Sequence, residues 1–250
     1  MTRRLAAALV LVFASTACRS AATASAPRPP AAPTPAPALA AQADPTAIRW
    51  ARGSAEHRAA FLQVYRLATE HVEREAGARA KGSWAVVLDA DETVIDNSSY
   101  QLEQARRGRP FDARSWSEWV KRREATPLPG AAAFLERVHA LGGRVAIVTN
   151  RSAAECPDTE AVFKAHALLY DVMLCKQGSS DKNPRFEAVA QGGAAPGLPP
   201  LEIVAFLGDN VTDFPGQSQA IRARGDEAFA EFGARFFVLP NAMYGSWESN

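Results

Sequence analysis

Five short runs of apolar residues recur in the chain after residue 83, and each run is four or five residues long. Runs of this length, bounded by polar residues or glycine, are typical of strands that are buried on both faces. Segments with a helical or mixed pattern separate the runs. This alternation predicts an α/β fold, a Rossmann-like core in which helices flank a parallel sheet. The predicted strands are 84–88, 145–148, 172–175, 203–207 and 236–239.

Apolar spacings of three and four residues also predict two helices. The first begins after Ser54, a residue type that commonly caps a helix. The second covers residues 131–141 and ends at Gly142-Gly143, because glycine readily adopts the backbone conformation that follows a helix. The apolar face of the first helix consists of Phe61, Tyr65, Ala68 and Val72.

About 55 residues separate the first predicted strand from the second, whereas a crossover connection needs only roughly a dozen. We therefore expect a small, mainly helical, cap-like insertion over residues 94–130, beside the edge of the sheet where a ligand would bind. Phe111, Trp116 and Trp119 lie in this insertion among many charged residues. These aromatic side chains either attach the insertion to the core or, where they remain exposed near the mouth of a site, form platforms for a substrate.

Polar side chains that can carry out chemistry follow four of the five predicted strands. In an open parallel sheet the carboxyl ends of the strands meet at one edge, and ligands bind there. A lone Asp-x-Asp-x-Thr segment is as typical of a loop or a helix cap as of a site, but repeated polar strand ends predict a functional site. The candidate residues are Asp89, Asp91, Thr149, Lys182, Asp209 and Asp213.

The first 45 residues have the pattern of a targeting segment and a spacer. Two arginines precede an apolar run over residues 5–14, and small residues then lead to Cys18. A permanent membrane span needs about 20 apolar residues, so we interpret residues 1–18 as a secretory signal. Cys18 resembles the lipidated cysteine of bacterial lipoproteins, and ordinary signal cleavage is the alternative. Residues 19–45 are rich in proline and alanine, which predicts an extended tether before a folded domain at 46–250.

The charge and the remaining special residues narrow the function further. Without residues 1–45 the chain keeps 24 basic and 26 acidic residues, a balance that does not favour nucleic acid binding. An extracytoplasmic location would permit a disulfide between Cys156 and Cys175, although two cysteines in such a domain are more often free and buried. The four histidines lie in helix-like stretches without ligand spacing, so we expect neither a zinc site nor a histidine nucleophile.

Four segments carry the strand-end residues in a fixed order. They read Asp-Ala-Asp-Glu-Thr-Val-Ile-Asp-Asn-Ser at 89–98, Ile-Val-Thr-Asn-Arg at 147–151, Gly-Asp-Asn-Val-Thr-Asp-Phe at 208–214 and Pro-Asn-Ala-Met-Tyr-Gly-Ser-Trp-Glu at 240–248. Together they resemble the haloacid dehalogenase (HAD) superfamily of phosphohydrolases and, within it, the class C bacterial acid phosphatases. That family comprises surface lipoproteins and secreted enzymes and includes 5′-nucleotidases. The resemblance extends over residues 50–248.

The resemblance implies a role for each catalytic candidate. Asp89 would attack phosphorus and form an aspartyl phosphate, and Asp91 would protonate the leaving oxygen and then activate water. Thr149 would donate a hydrogen bond to the transferred phosphoryl group. A lysine after the third strand would neutralise charge, and both Lys176 and Lys182 are candidates. We choose Lys182 because it begins the Lys-x-x-Arg-aromatic pattern of the family.

The resemblance also implies a metal site and a substrate site. Mg²⁺ would bind the side chains of Asp89 and Asp209 and the backbone carbonyl of Asp91. Asp213 would hold a metal-bound water or orient Lys182, and a helix-start carboxylate is its simpler interpretation. The candidate substrate-binding residues are Asn150, Arg151, Trp116 and Tyr244: Arg151 would contact substrate oxygens or form a surface ion pair, and the two aromatic residues would stack on a nucleoside base.

The expected function is Mg²⁺-dependent hydrolysis of small phosphate monoesters, most of all 5′-nucleotides. The expected location is the outer membrane or cell surface through a lipid on Cys18, or otherwise the periplasm or the medium. A homodimer is implied by the family alone. Two alternatives remain open from the sequence: a non-enzymatic surface lipoprotein that binds a nucleotide or haem, and a phosphotransferase with the same fold.

Overall fold

The structure, a computed structural model, describes residues 43–249. The predicted signal at 1–18, its Cys18, and most of the predicted tether at 19–45 lie outside the described residues. None of the helices within residues 43–249 combines the length and the apolar character that a membrane span requires.

All five predicted strands are present in one sheet. They are β1 at Trp84–Leu88, β4 at Arg144–Ser152, β5 at Val172–Lys176, β6 at Glu202–Gly208 and β7 at Phe236–Val238. The strands are parallel and lie in the order β5-β4-β1-β6-β7, which confirms the predicted fold class. β1 lies in the centre and pairs with β4 on one side and β6 on the other, and β4 extends four residues beyond its predicted end.

Residues 43–249 contain seven α-helices. They are α1 at Thr46–Gly53, α2 at Ala55–Ala76, α3 at Ser98–Arg106, α4 at Ala113–Arg122, α5 at Ala131–Ala140, α6 at Cys156–Ala165 and α7 at Asn183–Gln191. Alternate residues of β1 show that helices cover both faces of the sheet. Trp84, Val86 and Leu88 pack with residues of α2, α5 and α6, whereas Ala85 and Val87 pack in a second cluster with residues of α7.

The insertion after β1 contains the helices α3 and α4, and it also contains an antiparallel ribbon of two very short strands. β2, at Ile95–Asp96, pairs with β3, at Thr126–Pro127, so the chain enters and leaves the insertion side by side. Two-residue strands show no periodicity in the sequence, which is why the pattern indicated helices alone. The ribbon fixes where the insertion joins the core.

Cys156 and Cys175 form a disulfide, with their Cα atoms 6.0 Å apart. The sequence left this pairing open, and the fold decides it because the start of α6 lies beside the end of β5. The bond connects the first residue of α6, which follows β4, to a residue near the end of β5.

Candidate active site

The first group of predicted site residues meets around one buried ammonium group. Asp89 directly follows β1, and Lys182 is the residue that precedes α7. The Lys182 Nζ lies 2.5 Å from Asp89 Oδ1 and 2.7 Å from Asp213 Oδ1. All three residues are buried. The sequence prediction of Lys182 as the lysine of the site is consistent with this placement.

Asp213 has a second contact besides its ion pair with Lys182. It lies in the short 3₁₀ turn Val211–Asp213 after β6, and its Oδ2 accepts a hydrogen bond from the Asn210 N–H at 2.9 Å. Asp213 therefore orients Lys182 and also stabilises the start of the turn. Contact with Lys182 and the role of a helix-start carboxylate thus involve different oxygens of Asp213, and its contact with a metal-bound water stays a prediction.

Asp209 completes a cluster of three carboxylates at this edge of the sheet. One oxygen each from Asp89, Asp209 and Asp213 lies within 4.8 Å of the other two. Asp209 is also held by Asn241, whose Nδ2 donates to Asp209 Oδ2 at 2.8 Å. A set of hard oxygen donors at this spacing could hold a metal ion.

Burial and crowding of like charges shape the electrostatics of the cluster. Burial raises the pKa of Asp89 from 3.8 to about 7, with Lys182 opposing and Asp213 adding to the rise. Desolvation, followed by repulsion from Asp213 and Asp89, raises the pKa of Asp209 well above its usual range. Burial disfavours the Lys182 ammonium, but Asp213 and Asp89 outweigh it and raise the pKa of Lys182. When all three carboxyl groups are ionised, their charge exceeds that of the single lysine.

Asp91 has a separate set of partners although it is only two residues from Asp89. Asn97 Nδ2 donates to Asp91 Oδ1 at 2.7 Å, and Arg151 Nε donates to the same oxygen at 2.9 Å. Arg151 is 2% exposed and also donates to Asn97 Oδ1 and Thr159 Oγ1. Arg151 therefore forms a buried ion pair, and not the surface ion pair that the sequence offered as one alternative.

Thr149 and Asn150 lie at the end of β4, and Arg185 holds the backbone around them. Thr149 is fully buried, and its Oγ1 accepts a hydrogen bond from the Arg151 N–H at 3.1 Å. Arg185 of α7 donates to the Thr149 carbonyl at 2.5 Å and to Asn150 Oδ1 at 2.7 Å. Asn150 and Arg151 line the central cavity of the site. The Lys-x-x-Arg pattern had pointed to Arg185, but its bracing role is visible only in the structure.

A cavity of about 660 Å³ opens in front of these residues. Asp89, Asp91, Lys182 and Asp209 line its base. The insertion and the C-terminal segment supply Phe111, Trp116, Met243 and Tyr244 to its walls. The size is within the range of about 300–1,000 Å³ that is typical of small-molecule sites.

The three aromatic residues of the insertion have different surroundings. Trp119 is buried and attaches the insertion to the core, whereas Phe111 is 63% exposed at the cavity. Trp116 is intermediate: its ring centroid lies 5.3 Å from that of Trp119, and the Arg151 guanidinium lies 5.2 Å from the ring centroid. Trp119 therefore attaches the insertion to the core, and Phe111 has the exposed position that a substrate platform would need.

The sequence indicated no role for Glu92 and Asn97, although both lie within the motif segment 89–98. Asn97 is fully buried and contacts Asp91, and Glu92 is 3% exposed and contacts Tyr244. Burial, with repulsion from Asp96, Asp209 and Asp91, raises the pKa of Glu92 well above its usual range. Their position in the segment that follows Asp91 is the sequence signal that could have identified them.

Comparison with known proteins agrees with this geometry. The family model for the HAD superfamily, subfamily IIIB (acid phosphatase), matches residues 10–247. Acid phosphatase 1 of Solanum lycopersicum is 26% identical over 196 residues, which cover 72% of this chain and 69% of that protein.

The described fold is also similar to that of a solved bacterial enzyme. The class C acid phosphatase of Bacillus anthracis superposes with a TM-score of 0.73 at 29% identity, over 81% of this chain and 85% of that one. A structure of the same enzyme with tungstate bound gives a TM-score of 0.72 at 28% identity, with the same coverage of both chains. The resemblance of the motifs to a phosphomonoester hydrolase family is confirmed, and the chain belongs to the acid phosphatases of HAD subfamily IIIB.

Proposed function

We propose that this acid phosphatase is Mg²⁺-dependent and hydrolyses small phosphate monoesters, with 5′-nucleotides as the preferred class, through an aspartyl-phosphate intermediate. The observation that carries the proposal is the convergence of Asp89, Lys182 and Asp209 on the base of one cavity. Attack on a phosphate dianion requires a nucleophilic carboxylate, a fixed cation and a site for a second cation.

The described residues fit a divalent cation. Asp89, Asp209 and Asp213 carry three carboxylates against the single ammonium of Lys182, and their oxygens lie within 4.8 Å of one another. The family resemblance implies that Asp89, Asp209 and the Asp91 carbonyl would hold the ion, whereas Asp213 contacts Lys182 and the Asn210 N–H. Bound Mg²⁺ would neutralise phosphate oxygens and lower the repulsion between the ester and the attacking carboxylate.

Asp89 is positioned to act as the nucleophile. Its Oδ1 is held by Lys182, which leaves Oδ2 to attack phosphorus, and Lys182 keeps its proton because its pKa is raised. The ammonium group can also donate to a transferring phosphoryl oxygen beside Asp89. Hydrolysis of the resulting acyl phosphate then returns the Asp89 carboxylate and releases phosphate.

Asp91 is positioned to act as the general acid and base. Asn97 and Arg151 both donate to its Oδ1, so the carboxylate is fixed while Oδ2 remains as the oxygen that can hold a proton. It would give that proton to the leaving oxygen and take one back from the water that attacks the acyl phosphate. Such proton transfer contributes about 10²- to 10⁴-fold to the rate of many enzymes.

The walls of the cavity support a nucleotide as the substrate. Phe111 and Tyr244 line it, and aromatic rings at the mouth of a site can stack on a base. Asn150 also lines the cavity and could donate to substrate oxygens. The tungstate in the structure of the related Bacillus enzyme supports a site for a tetrahedral oxyanion of the phosphate type.

We also propose an extracytoplasmic location for the domain, as a lipoprotein anchored through Cys18. The disulfide between Cys156 and Cys175 supports it, because such bonds persist mainly in oxidising compartments. A homodimer stays a prediction from the family.

Phosphate release tests the proposed function directly. The purified domain would be assayed with p-nitrophenyl phosphate, 5′-AMP and a panel of small esters, in Mg²⁺ or in EDTA. We expect metal-dependent phosphate release with the highest kcat/KM on 5′-nucleotides. Activity that survives EDTA would contradict the metal dependence, and a preference for esters without a base would contradict the nucleotide. Transfer to an added alcohol in place of water would identify a phosphotransferase.

A further inference from the structure

Glu92 is a buried acidic residue in the site that the proposed chemistry does not use. It follows Asp91 and adopts a backbone φ of 52°, a left-handed conformation that residues other than glycine, asparagine and aspartate rarely adopt. It is 3% exposed and lies near the carboxylates of Asp91, Asp96 and Asp209. A strained backbone and a buried acid at one position point to a specific requirement there.

The contacts of Glu92 show what this requirement could be. Its Oε1 accepts a hydrogen bond from the Asn97 backbone N–H at 3.1 Å and another from the Tyr244 hydroxyl at 3.1 Å. Asn97 in turn donates its side-chain amide to Asp91. One oxygen therefore connects the residue that holds Asp91 with an aromatic residue that lines the cavity.

The C-terminal wall, which we define as residues 240–248, has several attachments to the rest of the described chain. Asn241 donates to Asp209, and Ser246 donates to Asn210, so both of these contacts lead to the end of β6. Tyr244 donates to Glu92 instead, on the segment that follows β1. The hydrogen bond from Tyr244 to Glu92 therefore connects the C-terminal wall to the segment that contains Asp91.

We propose that Glu92 is a positioning residue that sets the distance between the C-terminal wall and Asp91. By fixing Tyr244 and Asn97 with one oxygen, it places the wall that contacts the leaving group in register with the carboxyl group that protonates it. This inference rests on the proposed function for its catalytic consequence. The mechanical part, attachment of the wall, does not depend on that function.

Two variants separate the connections of Glu92. Tyr244→Phe keeps the ring but removes the hydroxyl that donates to Glu92, so it removes the contact between Glu92 and the wall and leaves the contact with Asn97. Glu92→Ala removes both contacts. Glu92→Gln retains an acceptor oxygen and serves as the variant in which the structure should survive. Tyr170→Phe is a matched control, because Tyr170 is a partly buried tyrosine outside the cavity.

Amide hydrogen exchange of residues 240–248 tests the attachment without using activity. We expect Tyr244→Phe and Glu92→Ala each to speed exchange of this segment about 3- to 10-fold, the effect of losing one hydrogen bond. The double variant should show little more than Glu92→Ala, and Glu92→Gln and Tyr170→Phe should match the wild type. Unchanged exchange in Tyr244→Phe, or effects that add fully in the double variant, would overturn the proposal.

Kinetics with 5′-AMP test the catalytic consequence. Tyr244→Phe should raise KM about 3- to 10-fold with a smaller change in kcat, and Glu92→Ala should lower kcat as well because Asn97 loses its anchor. A purely structural role would reduce the amount of active enzyme and leave KM unchanged. If the wild type hydrolyses no ester, the proposed function fails while the exchange experiment still decides the attachment. If the wild type is active but exchange is unaltered in the variants, the proposed function holds and the attachment by Glu92 fails.

Discussion

Asp89 and Asp91 are two residues apart, yet the fold gives them opposite surroundings. Asp89 is buried beside Lys182 and two further carboxylates, and its pKa is raised. Asp91 is half-buried and holds a guanidinium and an amide, from Arg151 and Asn97. The first group, Asp89 with Lys182, Asp209 and Asp213, has partners from the loops after β5 and β6. The second group, Asp91 with Arg151 and Asn97, has partners from the end of β4 and from the entry to the insertion.

This difference shows how one short segment can supply two chemical functions. A nucleophile needs a fixed position, a cation beside it and access to phosphorus, and the first group provides these. A general acid needs one oxygen anchored and the other able to exchange a proton, and the second group provides that. Neighbouring carboxylates can divide such roles when their environments differ.

Asp89→Asn should have the largest effect on activity, because it removes the nucleophile on which the first group is centred. We expect phosphate release from every ester to fall on the order of 10⁴-fold or more, the size of effect seen when a catalytic nucleophile is lost. Steady-state kinetics in Mg²⁺ would measure it. Asp226→Asn, at an exposed position outside the cavity, is the control and should keep wild-type rates. Activity retained in Asp89→Asn would remove Asp89 as the nucleophile.

Asp91→Asn should have a smaller effect that depends on the leaving group. We expect kcat/KM to fall about 10²- to 10⁴-fold for 5′-AMP, whose alkoxide needs a proton, and less for p-nitrophenyl phosphate, whose phenolate is a good leaving group. The ratio of the two losses is the measurement. Equal losses on both esters would show that Asp91 acts on the structure of the site and not on the leaving oxygen.

Arg151→Ala should lower the free energy of unfolding, because the second group includes a buried ion pair. It leaves Asp91 partly buried without its cation, which costs about 3–5 kcal/mol in other buried pairs. Denaturant unfolding would measure this change in the free energy of unfolding. The control is Arg114→Ala, because Arg114 forms an exposed ion pair with Glu118 and should contribute less than about 1 kcal/mol. Similar small losses in both variants would show that the pair with Asp91 is not stabilising.

The response to pH and metal should be the smallest effect and should come from the first group. The folded protein raises the pKa of Asp89 from 3.8 to about 7, so without metal it binds more protons than the unfolded chain between these values. The Asp89 carboxyl group therefore stabilises the fold at low pH, and this stabilisation is lost as the pH rises from 3.8 to about 7.

A divalent cation would offset the repulsion that remains when the cluster is ionised. We expect Mg²⁺ to raise Tm by at least about 2–4 °C at pH 7, the shift that 1 kcal/mol produces in a domain of this size, and by less at pH 5. Thermal unfolding in Mg²⁺ and in EDTA at both values would measure it, with Asp209→Asn as the variant that should lose the response. An equal Mg²⁺ effect at both pH values would argue against the carboxylate cluster as the binding site.

The first group was easier to predict than the second. Asp89, Lys182 and Asp209 each follow a buried strand, so the topology of a parallel sheet brings them together whatever the details of packing. Arg151 lies near the end of β4, but its partner could not be deduced, because the choice between substrate and Asp91 depends on where the insertion begins. Glu92 and Asn97 were missed because their contacts depend on the local backbone conformation after Asp91, including the positive φ of Glu92, which no periodicity encodes.

The sequence by itself determined the five strands, the extra insertion, the family and the residues at the base of the cavity. Those features follow from local apolar patterns and from short motifs, which need no knowledge of distant contacts. Only the tertiary structure decided the pairing of Cys156 with Cys175, the partners of Arg151 and the link between Glu92 and Tyr244. Each of these joins segments that are far apart in the chain, and their geometry is set by how the strands and the insertion pack together.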